Sequence, residues 1–154
     1  MKKLKALTTA LQDAGAFKDS DYSAVDQGAY FFTGKDLGHG IEVAKLKYDA
    51  HIQIENLPDR DSYTLLVFIP AWLADNDADR ERDGLADPDI DISLNGDGTA
   101  DVELLIEFEE SLQLIPDESG SIPYNGQMWT VADVPIDVAE GVDKVARQSE
   151  EANG

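Results

Sequence analysis

Cysteine is absent from the 154-residue chain. That excludes disulfides, a thiol nucleophile, thiolate-bound zinc and iron–sulfur clusters together, and it is compatible with a reducing compartment. Cations are scarce as well: 12 lysines and arginines face 32 aspartates and glutamates, a formal net charge of −20. So acidic a body repels phosphate backbones and anionic membrane surfaces, and neither direct nucleic-acid binding nor membrane attachment is expected. No apolar run approaches the roughly 18 residues of a membrane span. The opening Met1-Lys2-Lys3-Leu4-Lys5 is basic like the start of a signal peptide. Gln12 and Asp13 interrupt the apolar stretch after it, so a soluble, non-exported protein is expected. What the chain does have is apolar content: hydrophobic residues make up 42%. At this length folding hides roughly 68–70% of the unfolded surface, enough for one core and too little for two full domains.

Leu4, Leu7 and Leu11 recur at helical spacing and Gly15 offers a stop, which predicts an amphipathic helix over residues 3–14. Residues 18–28, with Asp19, Ser20, Asp21, Ser23, Asp26 and Gly28, have loop chemistry. Ala29-Tyr30-Phe31-Phe32-Thr33 reads as a short strand whose aromatics, with Trp72, are expected in the core. Gly34, Gly38 and Gly40 break the chain after it. Ala44, Leu46, Tyr48, Ala50, Ile52 and Ile54 then alternate with polar residues, the pattern of a long strand with one buried face.

Residues 59–74 predict a second helix, with Leu65, Phe68, Ile69, Trp72 and Leu73 on one side. Pro70 deletes one of its hydrogen bonds. The rival is a strand over Tyr63–Ile69 followed by a helix from Pro70, but the apolar spacing continues across the proline and favours a kinked helix. Asp75 to Asp87 reads as an exposed, mobile acidic loop. Ile90, Ile92 and Leu94, then Asn95-Gly96-Asp97-Gly98, then Val102, Leu104, Ile106 and Phe108 spell a hairpin. Its second strand reaches Leu114, with Glu110 interrupting the apolar face, as a bulge or a subunit edge would. Pro116–Pro123 reads as a loop, Tyr124–Val134 as one further strand, and the chain from Asp137 as a weak helix ending in a frayed tail.

The expected fold class is α+β: an antiparallel or mixed sheet of four to five strands, packed on one face by two helices. Residues 1–135 would form one domain and 136–154 a weakly helical or disordered acidic tail. The expected core includes Leu7, Leu11, Leu46, Tyr48, Ile52, Leu65, Phe68, Ile69, Trp72, Val102, Leu104, Ile106 and Phe108.

No catalytic constellation stands out. Asp75, Asp77 and Asp79 occupy the first, third and fifth places of a calcium loop, but the glycine needed sixth is Arg80 and the glutamate needed twelfth is Ala86. A frame from Asp87 puts Ile92 at the glycine place. Asp101, Glu103 and Glu107 share one strand face as an acid–base pair would, yet that face is the wet one, where carboxylates keep ordinary pKa values. His39 lies in a glycine turn and His51 on a polar strand face, with neither a serine elbow nor an HExxH partner. Gly34-Lys35-Asp36-Leu37-Gly38 lacks the order of a phosphate loop. No enzyme activity, cofactor or metal is therefore expected. Tyr124, Met128 and Trp129 are either further core or an apolar patch for a partner.

Particular residues carry a resemblance: Met1-Lys2-Lys3-Leu4 with Leu7 and Leu11, Ala71-Trp72-Leu73, and the hairpin from Asp89-Ile90-Asp91-Ile92 through Asn95 to Asp101-Val102-Glu103-Leu104-Leu105-Ile106 with Glu109 or Glu110. In these, residues 1 to about 115 resemble the GpR-like tail completion proteins of contractile-tailed temperate bacteriophages. The resemblance implies a non-enzymatic virion protein acting at the head-proximal end of the tail. It also implies a ring of small α+β subunits, monomeric in isolation where assembly waits for the tail tube as template. Tube, sheath or head-joining proteins would be its partners, and the bacterial cytoplasm during assembly and then the virion tail its location. The loop residues Asp75, Asp77, Asp79 and Arg80 and the apolar Tyr124, Met128 and Trp129 are the candidate protein–protein contacts. The alternative is an acidic DNA mimic that occupies a partner's basic cleft.

Overall fold

The structure is a computed structural model that describes residues 1–136; the weak helix and tail expected from Asp137 onward lie outside the described residues. Two helices and six strands run in the order α1 (Lys2–Asp13), β1 (Tyr22–Asp36), β2 (Ile41–Pro58), α2 (Asp59–Asn76), β3 (Asp89–Leu94), β4 (Thr99–Pro116), β5 (Ile122–Tyr124) and β6 (Gln127–Val131). The fold is therefore α+β, as expected. Every strand pairing among the described residues is antiparallel, which removes the mixed alternative, and the sheet has six strands where four to five were expected.

The sheet is built around two 18-residue strands, β2 and β4, paired from Ile41↔Leu114 to Pro58↔Thr99. β1 lines the far side of β2. The other side of β4 is shared by β3, against residues 100–105, and β6, against residues 114–116. The alternation predicted for β2 and β4 holds, and its register brings Tyr48 opposite Phe108, Ala50 opposite Ile106, Ile52 opposite Leu104 and Ile54 opposite Val102. These side chains form one buried cluster with Leu4, Leu7 and Leu11 of α1 and Leu65, Ile69 and Leu73 of α2. The expected core is thus largely met; Leu46, Phe68 and Trp72 pack against the cluster but are only partly buried.

α2 runs unbroken through Pro70, so the rival strand over Tyr63–Ile69 is not formed. Four expectations are corrected. β1 begins at Tyr22 and spans 15 residues, so most of the expected loop at 18–28 is strand, and none of β1 is buried. Its aromatics are consequently not core: Tyr30 is 65% exposed and Phe32 86%. The single strand expected over Tyr124–Val134 is a hairpin, β5 and β6, turned at Asn125-Gly126, where both residues take the positive φ that a tight turn demands. Finally, Glu110 marks no bulge: it sits in continuous register opposite Leu46.

Glu110 instead caps a helix. α1 has no side-chain cap of its own and no acid in its first turn, so its leading N–H groups need partners from elsewhere. The amides of Lys2 and Lys3 donate to the Glu110 carboxylate at 3.2 and 2.9 Å, and the Leu4 amide reaches the Tyr48 hydroxyl at 3.4 Å. That hydroxyl in turn donates to Glu110. Burial first, and the adjacent carboxylate second, push the Tyr48 phenol well above its ordinary pKa.

Candidate functional site

The Asp75–Asp87 segment is anchored at one residue. Asp77 is 2% exposed, with the Lys3 ammonium 2.6 Å from one carboxylate oxygen and the Arg80 guanidinium 2.8 Å from the other. Lys3 also donates to the Glu109 carbonyl at 2.8 Å, and Arg80 to those of Glu107 at 2.9 Å and Ala86 at 2.7 Å. Neither β3 nor β6 pairs with β4 between Leu105 and Leu114, so these two cations satisfy carbonyls along that open stretch of edge. The start of α1, the end of α2 and the middle of β4 are fastened together by a single buried acid. The expectation of an exposed, mobile loop is corrected at this residue, which solvent does not reach.

Of the other loop candidates, Asp75 is exposed and Asp79 pairs with Arg82 at 3.1 Å. The carboxylates of Asp77 and Asp79 each face a cation, and among the described residues no three potential ligands lie together as a metal ion requires. The second candidate group is divided. Trp129 is buried, its indole N–H donating to the Tyr124 carbonyl at 2.7 Å, with the Tyr124 ring edge-on at 5.8 Å. Tyr124 and Met128 remain 41% and 37% exposed.

The acids that share a strand face as a catalytic pair would are occupied on the outer side of the sheet. Diagonal pairs link His51 to Glu103 at 2.7 Å, Lys47 to Glu107 at 3.5 Å and Lys45 to Glu109 at 4.0 Å. Asp101 accepts from the Asn56 amide and the Asn95 side chain, which hold its carboxyl below the usual range and tie the β3–β4 turn to the bend in β2. His39 stays in the β1–β2 turn, closed by Leu37 donating to the Gly40 carbonyl at 2.8 Å. A Cβ at Gly40 would stand 2.4 Å from the Leu114 carbonyl oxygen, so only glycine admits this close passage.

Among the described residues, two apolar surfaces lie on the side of the sheet that carries the core. At one edge Tyr30 and Phe32 stack at 5.9 Å and an angle of 28°, open to solvent. At the other, α2 and β3 flank an apolar groove of about 640 Å³ with Leu66, Ile69, Pro70, Leu73 and Ile90 in its walls and Glu81 and Asp87 at its margin. Sequence reasoning assigned Tyr30 and Phe32 to the core; the signal that argues otherwise is the polar run just before them, Asp26-Gln27-Gly28.

The family model of P2 phage tail completion protein R (GpR) matches residues 1–133. The chain belongs to this family. The match extends past the hairpin at which the resemblance in the sequence stops and takes in β5 and β6. A relative in Haemophilus phage HP1 (strain HP1c1), described as an uncharacterized 19.2 kDa protein in the rep-hol intergenic region, is 28% identical over 138 residues. The alignment covers 86% of this chain and 82% of that protein. No solved structure matches the chain. Membership of a tail completion family carries a role in phage tail assembly, and with it contact with other tail components. No helix among the described residues is long and apolar enough to cross a membrane.

Proposed function

We propose that this protein completes the head-proximal end of a contractile phage tail by protein–protein contact alone, as a ring of identical subunits, without catalysis. The observation that carries the reading is the family match over residues 1–133. The geometry supports it in kind. The two helices, through Leu4, Leu7, Leu11, Leu65, Ile69 and Leu73, would cover the central part of one face, leaving both sheet edges free to meet neighbours. Tube, sheath or head-joining proteins are the partners, met in the cytoplasm during assembly and retained in the virion tail. Asp75, Asp79, Tyr124 and Met128 remain available on the surface for such contacts; Asp77, Arg80 and Trp129 would act by holding the loop and the β5–β6 hairpin in place. The net charge of −20 would let DNA pass a bore lined by such subunits without sticking.

The DNA-mimic alternative gains nothing from the fold. Mimicry needs free carboxylates at regular spacing, and the ordered row Glu103, Glu107, Glu109 is paired with His51, Lys47 and Lys45. Immunogold labelling of tails from a phage that carries this chain tests the assignment. Label at the head-proximal tip is expected; label at the opposite end, or none on finished tails, would sink it.

A further inference from the structure

The aromatic pair and the α2–β3 groove lie at opposite edges of one side of the sheet. We propose that the stacked Tyr30 and Phe32 of one copy seat in the α2–β3 groove of a second copy, a head-to-tail contact that repeats around a ring. The inference rests on the reading of the chain as a ring-forming tail component and names the contact that would build the ring.

Shape is the first argument. The aromatic pair projects from one edge of the sheet and the groove opens at the other, on the same side. A knob and a hole at opposite edges of one subunit cannot satisfy each other within it, and they join copies in a heterologous, repeating fashion. A groove of about 640 Å³ is large enough for two aromatic rings. Rigid aromatics entering an apolar pocket are the kind of contact that dominates interface energy. The groove wall also carries a spare acceptor: Pro70 has no N–H to give the Leu66 carbonyl, and both residues line it.

Charge selects the partner. Copies at −20 repel, so a contact between them needs a locally non-acidic side. Residues 27–34, which carry the aromatic pair, hold no charged side chain. The groove margin offers Glu81 and Asp87. Arm against groove keeps these acids away from other acids. Groove against groove would face acids with acids, which disfavours that two-fold arrangement, and arm against arm would leave the groove unfilled.

The absence of native cysteine makes the test direct. Gly28→Cys and Ala74→Cys place single thiols at exposed positions beside the knob and on the groove wall and leave Tyr30 and Phe32 intact. The full-length variants, alone and mixed in equal amounts, are treated with a short bismaleimide at high protein concentration. A covalent dimer in the mixture, well above either variant alone, is expected. Equal yield from Gly28→Cys alone would show a two-fold contact and overturn the proposal, as would no dimer in any sample. Phe32→Ser should weaken self-association in sedimentation by about tenfold or more with an unchanged melting midpoint; unchanged association would also overturn it. Gold label retained at the head-proximal tip while the cross-link fails would overturn this contact alone and leave the assembly role standing.

Discussion

The middle of the sheet and its edges obey the same alternation and meet opposite fates. In β2 and β4 the even-numbered side chains Tyr48, Ile52, Ile54, Val102, Leu104, Ile106 and Phe108 are all 2% exposed or less. In β1 and β3 the corresponding side chains Tyr30, Phe32, Ile90, Ile92 and Leu94 point to the same side and are 38% to 86% exposed. Period-two patterning therefore reports which way a side chain points. It does not report whether anything lies over it. Coverage depends on where Leu4, Leu7, Leu11, Leu65, Ile69 and Leu73 of the helices come to rest, and six leucine and isoleucine side chains do not span a sheet of this width.

The contrast can be broken most forcefully at its centre. Phe108→Ala removes a fully buried ring and should cost about 3–5 kcal/mol in urea unfolding; a loss below about 1 kcal/mol would mean the centre is no better packed than the edge. Asp77→Ala should cost a similar amount, about 3–5 kcal/mol, because it strands the Lys3 and Arg80 charges. Asp75→Ala, two positions earlier and exposed, should stay within about 0.5 kcal/mol in the same melts. Glu110→Ala should cost less than Asp77→Ala, about 1–3 kcal/mol, by uncapping α1 and leaving the Tyr48 O–H without an acceptor. Helix content by circular dichroism should fall with it.

A subtler effect belongs to pH. Burial raises the pKa of Glu42, but the Ser111 and Thr33 hydroxyls and then Lys45 and Lys35 outweigh it, leaving the carboxyl below its usual 4.5. A folded pKa below the unfolded one means stability that is complete above the unfolded value and lost as pH falls through the folded one. Glu42→Gln should accordingly flatten the decline in melting temperature between about pH 5 and 3; an unchanged slope would show that the hydroxyls do not favour the charged form. As small as the effect of Asp75→Ala, Phe32→Ala should change the unfolding free energy by no more than about 0.5 kcal/mol, since its ring is 86% exposed.

Local pattern made much of this legible. The alternation at 44–55, the Asn95-Gly96-Asp97-Gly98 turn with φ of +82 and +85 at its glycines, and the apolar spacing across Pro70 each depend on neighbours a few residues away. What escaped depends on distant partners. Asp77 is buried because Lys3, 74 positions earlier, comes to meet it, and Glu110 breaks an apolar run because α1, over a hundred positions away, needs a cap. β1 from Tyr22 to Gly28 escaped because a strand with no covered face needs no apolar face, so it reads as loop. The Asn125-Gly126 turn was written in the sequence and lost among the aromatics around it. Of the candidate contacts, Asp75, Asp79, Tyr124 and Met128 lie on the surface, whereas the strand patterns around Phe32 and Ile90 say nothing of the open edges that those residues flank.

The length of the two central strands has a mechanical consequence. At about 3.3 Å per residue, 18 residues reach roughly 60 Å, further than a compact body of this mass needs. Tugged along that axis, β2 and β4 share the load over fifteen paired positions at once, as a seam resists tearing lengthwise while it opens easily when peeled from one corner. A part of a phage tail would be well served by carrying load along that grain.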